Sequence, residues 1–160
     1  MKKVTVVILI IVALLAVSST AFAELETEVK AEANLDGSQE VPPVDTDMTG
    51  EVEIEIDDGK LAFELDVRNN SRDIFAAHIH CQVPGVNGPV GVTLFMGSFT
   101  DEEGTLAEGV ITAPDAGNGC GWEDLDDVAI AIINRATYVN VHTTAESGGF
   151  PSGEIRGNLR

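Results

Sequence analysis

The chain holds three histidines, and two of them, His78 and His80, stand one residue apart in the segment AAHIHC. The third, His142, closes the run TYVNVH. Neutral imidazole is the commonest side-chain ligand for metals, and strand residues at i and i+2 project from one face. With a rise of about 3.3 Å per residue, the Cα atoms of His78 and His80 stand roughly 6.5 to 7 Å apart. Both rings can then converge on one ion with bonds of about 2.0 to 2.1 Å. A histidine from a neighbouring strand would complete a three-nitrogen site. The alternative is that strand histidines serve packing and hydrogen bonding, and spacing alone leaves both readings open.

Cys81 follows His80 directly but falls on the opposite face of the same strand. A thiolate ligand beside the histidines would therefore need a bulge. The expected role is a disulfide with Cys120, the only other cysteine, as suits an exported chain. It would close a loop of about 40 residues, stabilising by roughly 3 to 4 kcal/mol in the chain-entropy view.

Export is expected from the first 23 residues. Lys2 and Lys3 precede an apolar run from Val4 to Val17, and Ala21-Phe22-Ala23 supplies an A-x-A cleavage site. That is the pattern of a secretory signal peptide over 1–23. The run is short for a permanent span, which takes about 20 apolar residues, so no stable membrane span is expected after cleavage. Residues 24–160 suit one domain with a single core. Losing the two lysines takes the formal charge of −18 to −20. Such a surface repels nucleic acid and anionic lipid, whose binding relies on lysine and arginine.

The elements that must position the histidines are mostly strands. Residues 24–35 alternate strictly, with Leu25, Thr27, Val29, Ala31, Ala33 and Leu35 on one face. DGSQEVPPVDTDMTG reads as loop or edge. EVEIEI and KLAFELDV flank Asp57-Asp58-Gly59 as a hairpin. In IFAAHIHC the alternation groups Phe75, Ala77, Ile79 and Cys81 against Ile74, Ala76, His78 and His80. PVGVTLF is a strand, and a short one is expected over Gly109 to Thr112. LDDVAIAIINR alone follows the helical period, with Leu125, Val128, Ala129, Ile132 and Ile133 on one face and Asp124 as N-cap. Strands resume in TYVNVHTT and GEIRGNL. Seven or eight short strands and one helix predict an all-β fold, an antiparallel Ig-like β-sandwich or barrel.

Three stretches together, LDGSQEVPPVDTDMTG, HIHCQVPGVNGPVGVTLF and YVNVHTTAESGGFPSGEIRGNL, resemble the chordin-type (CHRD) domain family over nearly the whole of residues 24–160. That resemblance implies a compact β domain, found in eukaryotic chordin and in many secreted microbial proteins. A weaker likeness is to the copper half of copper-zinc superoxide dismutases, which carry an H-x-H pair, a later V-H and a C-terminal arginine on an Ig-like barrel. His78-Ile79-His80, Val141-His142 and Arg156 occur here in that order, whereas the bridging ligand and zinc cluster have no counterpart. The likeness implies a copper ion on His78, His80 and His142, with Arg156 guiding a small anion such as superoxide. Read as a plain strand residue, Arg156 would make a surface ion pair worth about 0 to 1 kcal/mol.

Three imidazoles suit copper or zinc, and copper heads the divalent affinity series. Zinc with three histidines and a water would imply hydrolytic or hydration chemistry, for which no glutamate is fixed as a base. Copper ranks first and zinc second. Tyr138 and Asn140 share the His142 face and could orient an imidazole, although a tyrosine serving the core fits equally well. Trp122 reads as an anchor beside Cys120. Asn69-Asn70-Ser71 matches the glycosylation sequon, and the acidic runs lack EF-hand spacing. The expected protein is secreted or extracytoplasmic and binds one copper ion, with superoxide dismutase-like or other redox activity. Adhesion or ligand binding without catalysis, and copper storage or delivery, are the alternatives.

Overall fold

The computed structural model describes residues 28–160; the expected signal peptide and residues 24–27 of the first alternating run lie outside the described residues. Eight strands follow in order: β1 Val29–Asp36, β2 Thr49–Asp57, β3 Lys60–Arg68, β4 Ile74–Cys81, β5 Val90–Phe99, β6 Gly104–Ile111, β7 Thr137–Thr143 and β8 Ile155–Asn158. Among the described residues a single α-helix, α1 Leu125–Ile133, lies between β6 and β7. The strands form one sheet in the order β5-β4-β7-β8-β1-β2-β3-β6, every pairing antiparallel. The end strands β5 and β6 also approach each other, which curls the sheet into a nearly closed barrel.

Period-two patterning explains most of this. β1, β2 and β3 bury Val29, Ala31, Ala33 and Leu35; Val52, Ile54 and Ile56; Leu61, Phe63, Leu65 and Val67. Their alternate residues face solvent, as a half-buried strand requires. Asp58 and Gly59, with φ of 46° and 65°, make the two-residue turn whose handedness matches the twist of β2 and β3. The Asp124 side chain accepts from the N–H groups of Asp126 and Asp127, capping α1 as expected. Leu125, Val128, Ala129 and Ile132 turn into the core, whereas Ile133, expected on the same face, is exposed at the end of the helix. Among the described residues no helix is long and apolar enough to cross a membrane.

Two strand expectations also need correction. β6 starts at Gly104 and ends at Ile111 instead of covering only 109–112. Small residues and a register shift opposite Leu65 and Asp66 blur its alternation, while pairing with β3 extends it. In β4, Ile74 opposes Thr143 but Ala76 opposes His142, so Phe75 is an extra, bulged residue that reverses the parity at the strand's start. Ile74 therefore joins Ala77 and Ile79 in the core, and the Phe75 ring lies 6.0 Å from the His142 ring.

The barrel's outer surface has two different sides. On one, Glu32, Glu53, Glu64 and Glu108 stand opposite one another across β1, β2, β3 and β6, all exposed. On the other, Asp36, Arg156, Asn140, His78 and Thr93 form a row across β1, β8, β7, β4 and β5. Loops cover much of this second row, burying Arg156, Asn140 and their neighbour Glu154.

Candidate metal centre

His78 and His80 come from β4 and His142 from β7, its hydrogen-bonded neighbour. The inward residues of these strands, Ile79, Val139 and Val141, belong to the core, so parity directs the histidines to the covered outer face. One nitrogen from each ring falls within 4.8 Å of the others. His78 Nδ1 and His142 Nε2 are 3.1 Å apart. His80 and His142 are each 7% exposed, while His78 is only partly buried.

Two of the rings are held by the backbone. His80 Nδ1 donates to Gly88 O at 3.0 Å, and His142 Nδ1 donates to Pro151 O at 3.0 Å. A hydrogen on Nδ1 of a neutral ring leaves Nε2 as a bare lone pair, the arrangement that prepares a histidine for a metal. His80 Nε2 is buried and has no hydrogen-bond partner among the described residues. Buried polar atoms are normally paired, and this lone pair is one that an ion or a buried water could take. Burial pushes all three imidazoles down to about 4 from the ordinary 6.5. Repulsion between the rings adds to this, and the Asp115 carboxylate opposes it at His78. At neutral pH the cluster is uncharged and can donate to a metal without first losing protons.

Residues 31–159 match the sequence model of the CHRD domain. The chain belongs to the CHRD domain family. No curated protein and no solved structure matches it.

In this CHRD domain the residues flanking the histidines form two groups. Tyr138 stands opposite His80 across the ladder, and their rings stack with centroids 4.8 Å apart and 7° between planes. The Tyr138 hydroxyl accepts from Gly88 N–H at 3.0 Å and donates to Gly88 O at 3.3 Å, the same carbonyl that holds His80. Gly88 has no room for a side chain, because a Cβ there would lie 1.8 Å from Cys81 O. Arg156 completes this group. It is 0% exposed, its Cζ sits 3.4 Å from the Tyr138 ring centroid, and its guanidinium donates to Val86 O at 3.0 Å and Asn87 Oδ1 at 3.2 Å.

The second group surrounds Asn140, the cross-strand neighbour of His78. Asn140 Nδ2 donates to Glu40 Oε1 and to Ile155 O. Burial raises the Glu40 pKa, while the Asn140 amide and the Arg156 charge work against that rise. Gly153, at φ 130°, lets the chain pass over this pair, since a Cβ there would come within 2.6 Å of Asn140 and Glu40. The adjacent Glu154 carboxylate accepts from Thr143 Oγ1 and Thr46 Oγ1 at 2.6 Å each and from Arg72 Nη1 at 2.5 Å. These bonds pin the loop that carries Pro151 to the end of β7.

Cys81 and Cys120 form a disulfide, with Cα atoms 5.7 Å apart, so neither sulfur is a free thiolate. Trp122 lies over Gly91 beside Cys120, and a Cβ on Gly91 would collide with its ring. Sequence reasoning brought together the three histidines, Tyr138, Asn140 and Arg156. It missed the carbonyls of Gly88 and Pro151, the Glu40 carboxylate and the Phe75 ring. For Gly88 the G-x-N-G-P run was the available signal, because its tight turn lies just after the H-x-H strand.

Proposed function

We propose that this is an exported CHRD domain that binds one copper ion through His78, His80 and His142, with zinc as the alternative ion. The observation that carries the reading is the buried Nε2 of His80, unpartnered among the described residues, in a cluster where His142 Nε2 is also unprotonated and has only the His78 ring against it. Uncharged nitrogen donors favour copper in the divalent series. When bound, copper would supply one-electron chemistry of the kind superoxide dismutation uses. His78, the least buried of the three, marks the side from which a small molecule would approach. The leader-like first 23 residues and the disulfide both support an extracytoplasmic setting.

Copper storage or delivery without turnover is the second reading. It is favoured by the complete burial of Arg156, which keeps that guanidinium from meeting a solvent anion, and by the net negative charge, which slows anion approach. Copper titration followed by electron paramagnetic resonance tests the metal claim. One Cu(II) per chain with nitrogen hyperfine coupling, lost or altered in His78→Ala, is expected. A wild-type spectrum without stoichiometric nitrogen-coupled Cu(II) overturns it and leaves the reading of a non-enzymatic ligand-binding β-sandwich. Superoxide decay faster than free-copper controls then separates a dismutase from a copper carrier.

A further inference from the structure

Arg156 is a large, fully buried cation with no carboxylate in direct contact among the described residues. Among the described residues its Nε has no partner, and the other polar contacts of its guanidinium go to one short loop. That loop runs from the end of β4 into β5 and supplies Gly88 O, the acceptor that sets the tautomer of His80. β7 lies between β4 and β8, so the order of side chains is His80, Tyr138, Arg156. The rings of His80 and Tyr138 are nearly parallel, and the guanidinium rests against Tyr138 from the β8 side.

Both routes from Arg156 end on the same imidazole. One passes through the Tyr138 ring face, where cation and aromatic attract each other. The other passes through Val86 and Asn87 to Gly88, which Tyr138 also clasps through its hydroxyl. A planar guanidinium can lie flat on a ring while its edge donates to two acceptors, a fixed geometry that a compact ammonium does not reproduce.

We infer that Arg156 is a positioning residue of the metal site, holding the Val86–Gly88 loop and the Tyr138 ring so that His80 presents Nε2 to the shared ion. The inference rests on the copper reading above and assigns Arg156 a structural hold on a ligand in place of contact with a substrate anion. Partners that orient a metal-bound histidine typically change metal affinity by 10-fold to 100-fold when removed.

The test compares wild type, Arg156→Lys and Asn87→Ala, loaded with Cu(II) at a temperature where circular dichroism shows each folded. Arg156→Lys is expected to keep one copper per chain, to bind it about 10-fold more weakly and to shift the paramagnetic resonance spectrum. Asn87→Ala removes one acceptor of the guanidinium from an exposed position, together with the bond from Asn87 Nδ2 to Val41 O, and is expected to shift the spectrum the same way by less. A folded Arg156→Lys with wild-type affinity and spectrum overturns the inference, including when superoxide decay alone is slowed, because that pattern belongs to an anion guide. If Arg156→Lys does not fold, Asn87→Ala decides, and an unchanged spectrum and affinity overturn the inference. Failure of the wild type to bind copper is a separate outcome that removes the copper reading first.

Discussion

His78 Nδ1 lies 3.1 Å from His142 Nε2, and the hydrogen between them belongs to His78. Pro151 O can only accept, so the neutral His142 ring carries its hydrogen on Nδ1 and leaves Nε2 bare. An ion that takes His142 Nε2 must therefore displace the His78 contact. In the metal-free protein, long-range 15N–1H correlation spectra should show the Nδ1–H tautomer for His80 and His142. Zinc, as a diamagnetic probe, should shift both Nε2 resonances and change His78. An Nε2–H tautomer at either His80 or His142 would contradict the orientation described here.

The three lowered histidine pKa values set a pH dependence for the metal-free protein. Each ring is neutral when folded down to about 4, but ionises near 6.5 when unfolded. The unfolded chain then binds more protons, and the histidine contribution is complete above about pH 6.5 and lost as pH falls from there toward 4. Glu40, with its raised pKa, pulls the other way at acid pH. Comparison with a His78→Gln/His80→Gln/His142→Gln variant isolates the histidine part. Tm of the wild type should fall more steeply between pH 7 and pH 4.5 than Tm of the variant, and parallel curves would refute the burial argument.

Replacing both cysteines by alanine should lower unfolding free energy by about 2 to 5 kcal/mol, read from the denaturant midpoint. Copper stoichiometry should stay at one per chain, because neither sulfur belongs to the nitrogen cluster. Loss of copper together with the disulfide would show that the bridge does more than staple the chain.

The row Glu32, Glu53, Glu64 and Glu108 sets like charges directly opposite one another, a destabilising arrangement in a sheet. Glu53→Lys should raise Tm at low ionic strength by placing a cation between Glu32 and Glu64. The gain should shrink in about 1 M salt, where the screening length falls to about 3 Å. A gain that is the same at both salt concentrations would point to something other than charge.

How far the sequence could be read depended on what each residue faces. Period two sufficed for β1, β2, β3 and β7, because one face is core and the other is polar, and so it found the shared face of His78, His80, Tyr138, Asn140 and His142. It failed at Phe75, where a bulge inserts one residue and both neighbours of the break are apolar, leaving no polarity signal to reveal the slip. It was also silent on the covering loops. Arg156 alternates with core residues like any exposed strand arginine, but the Tyr138 ring and the loop residues Val86 and Asn87 lie against it and it is buried. The orienting acceptors Gly88 O and Pro151 O are backbone atoms, which no side-chain pattern encodes.

The central claim is that three histidines share one ion. Crystals of the copper-loaded protein, measured on both sides of the copper absorption edge, test it most directly. The copper assignment predicts a single anomalous peak about 2.0 to 2.1 Å from His80 Nε2, from His142 Nε2 and from one nitrogen of His78. A peak elsewhere on the chain, or none at this cluster in crystals that contain copper, would contradict it.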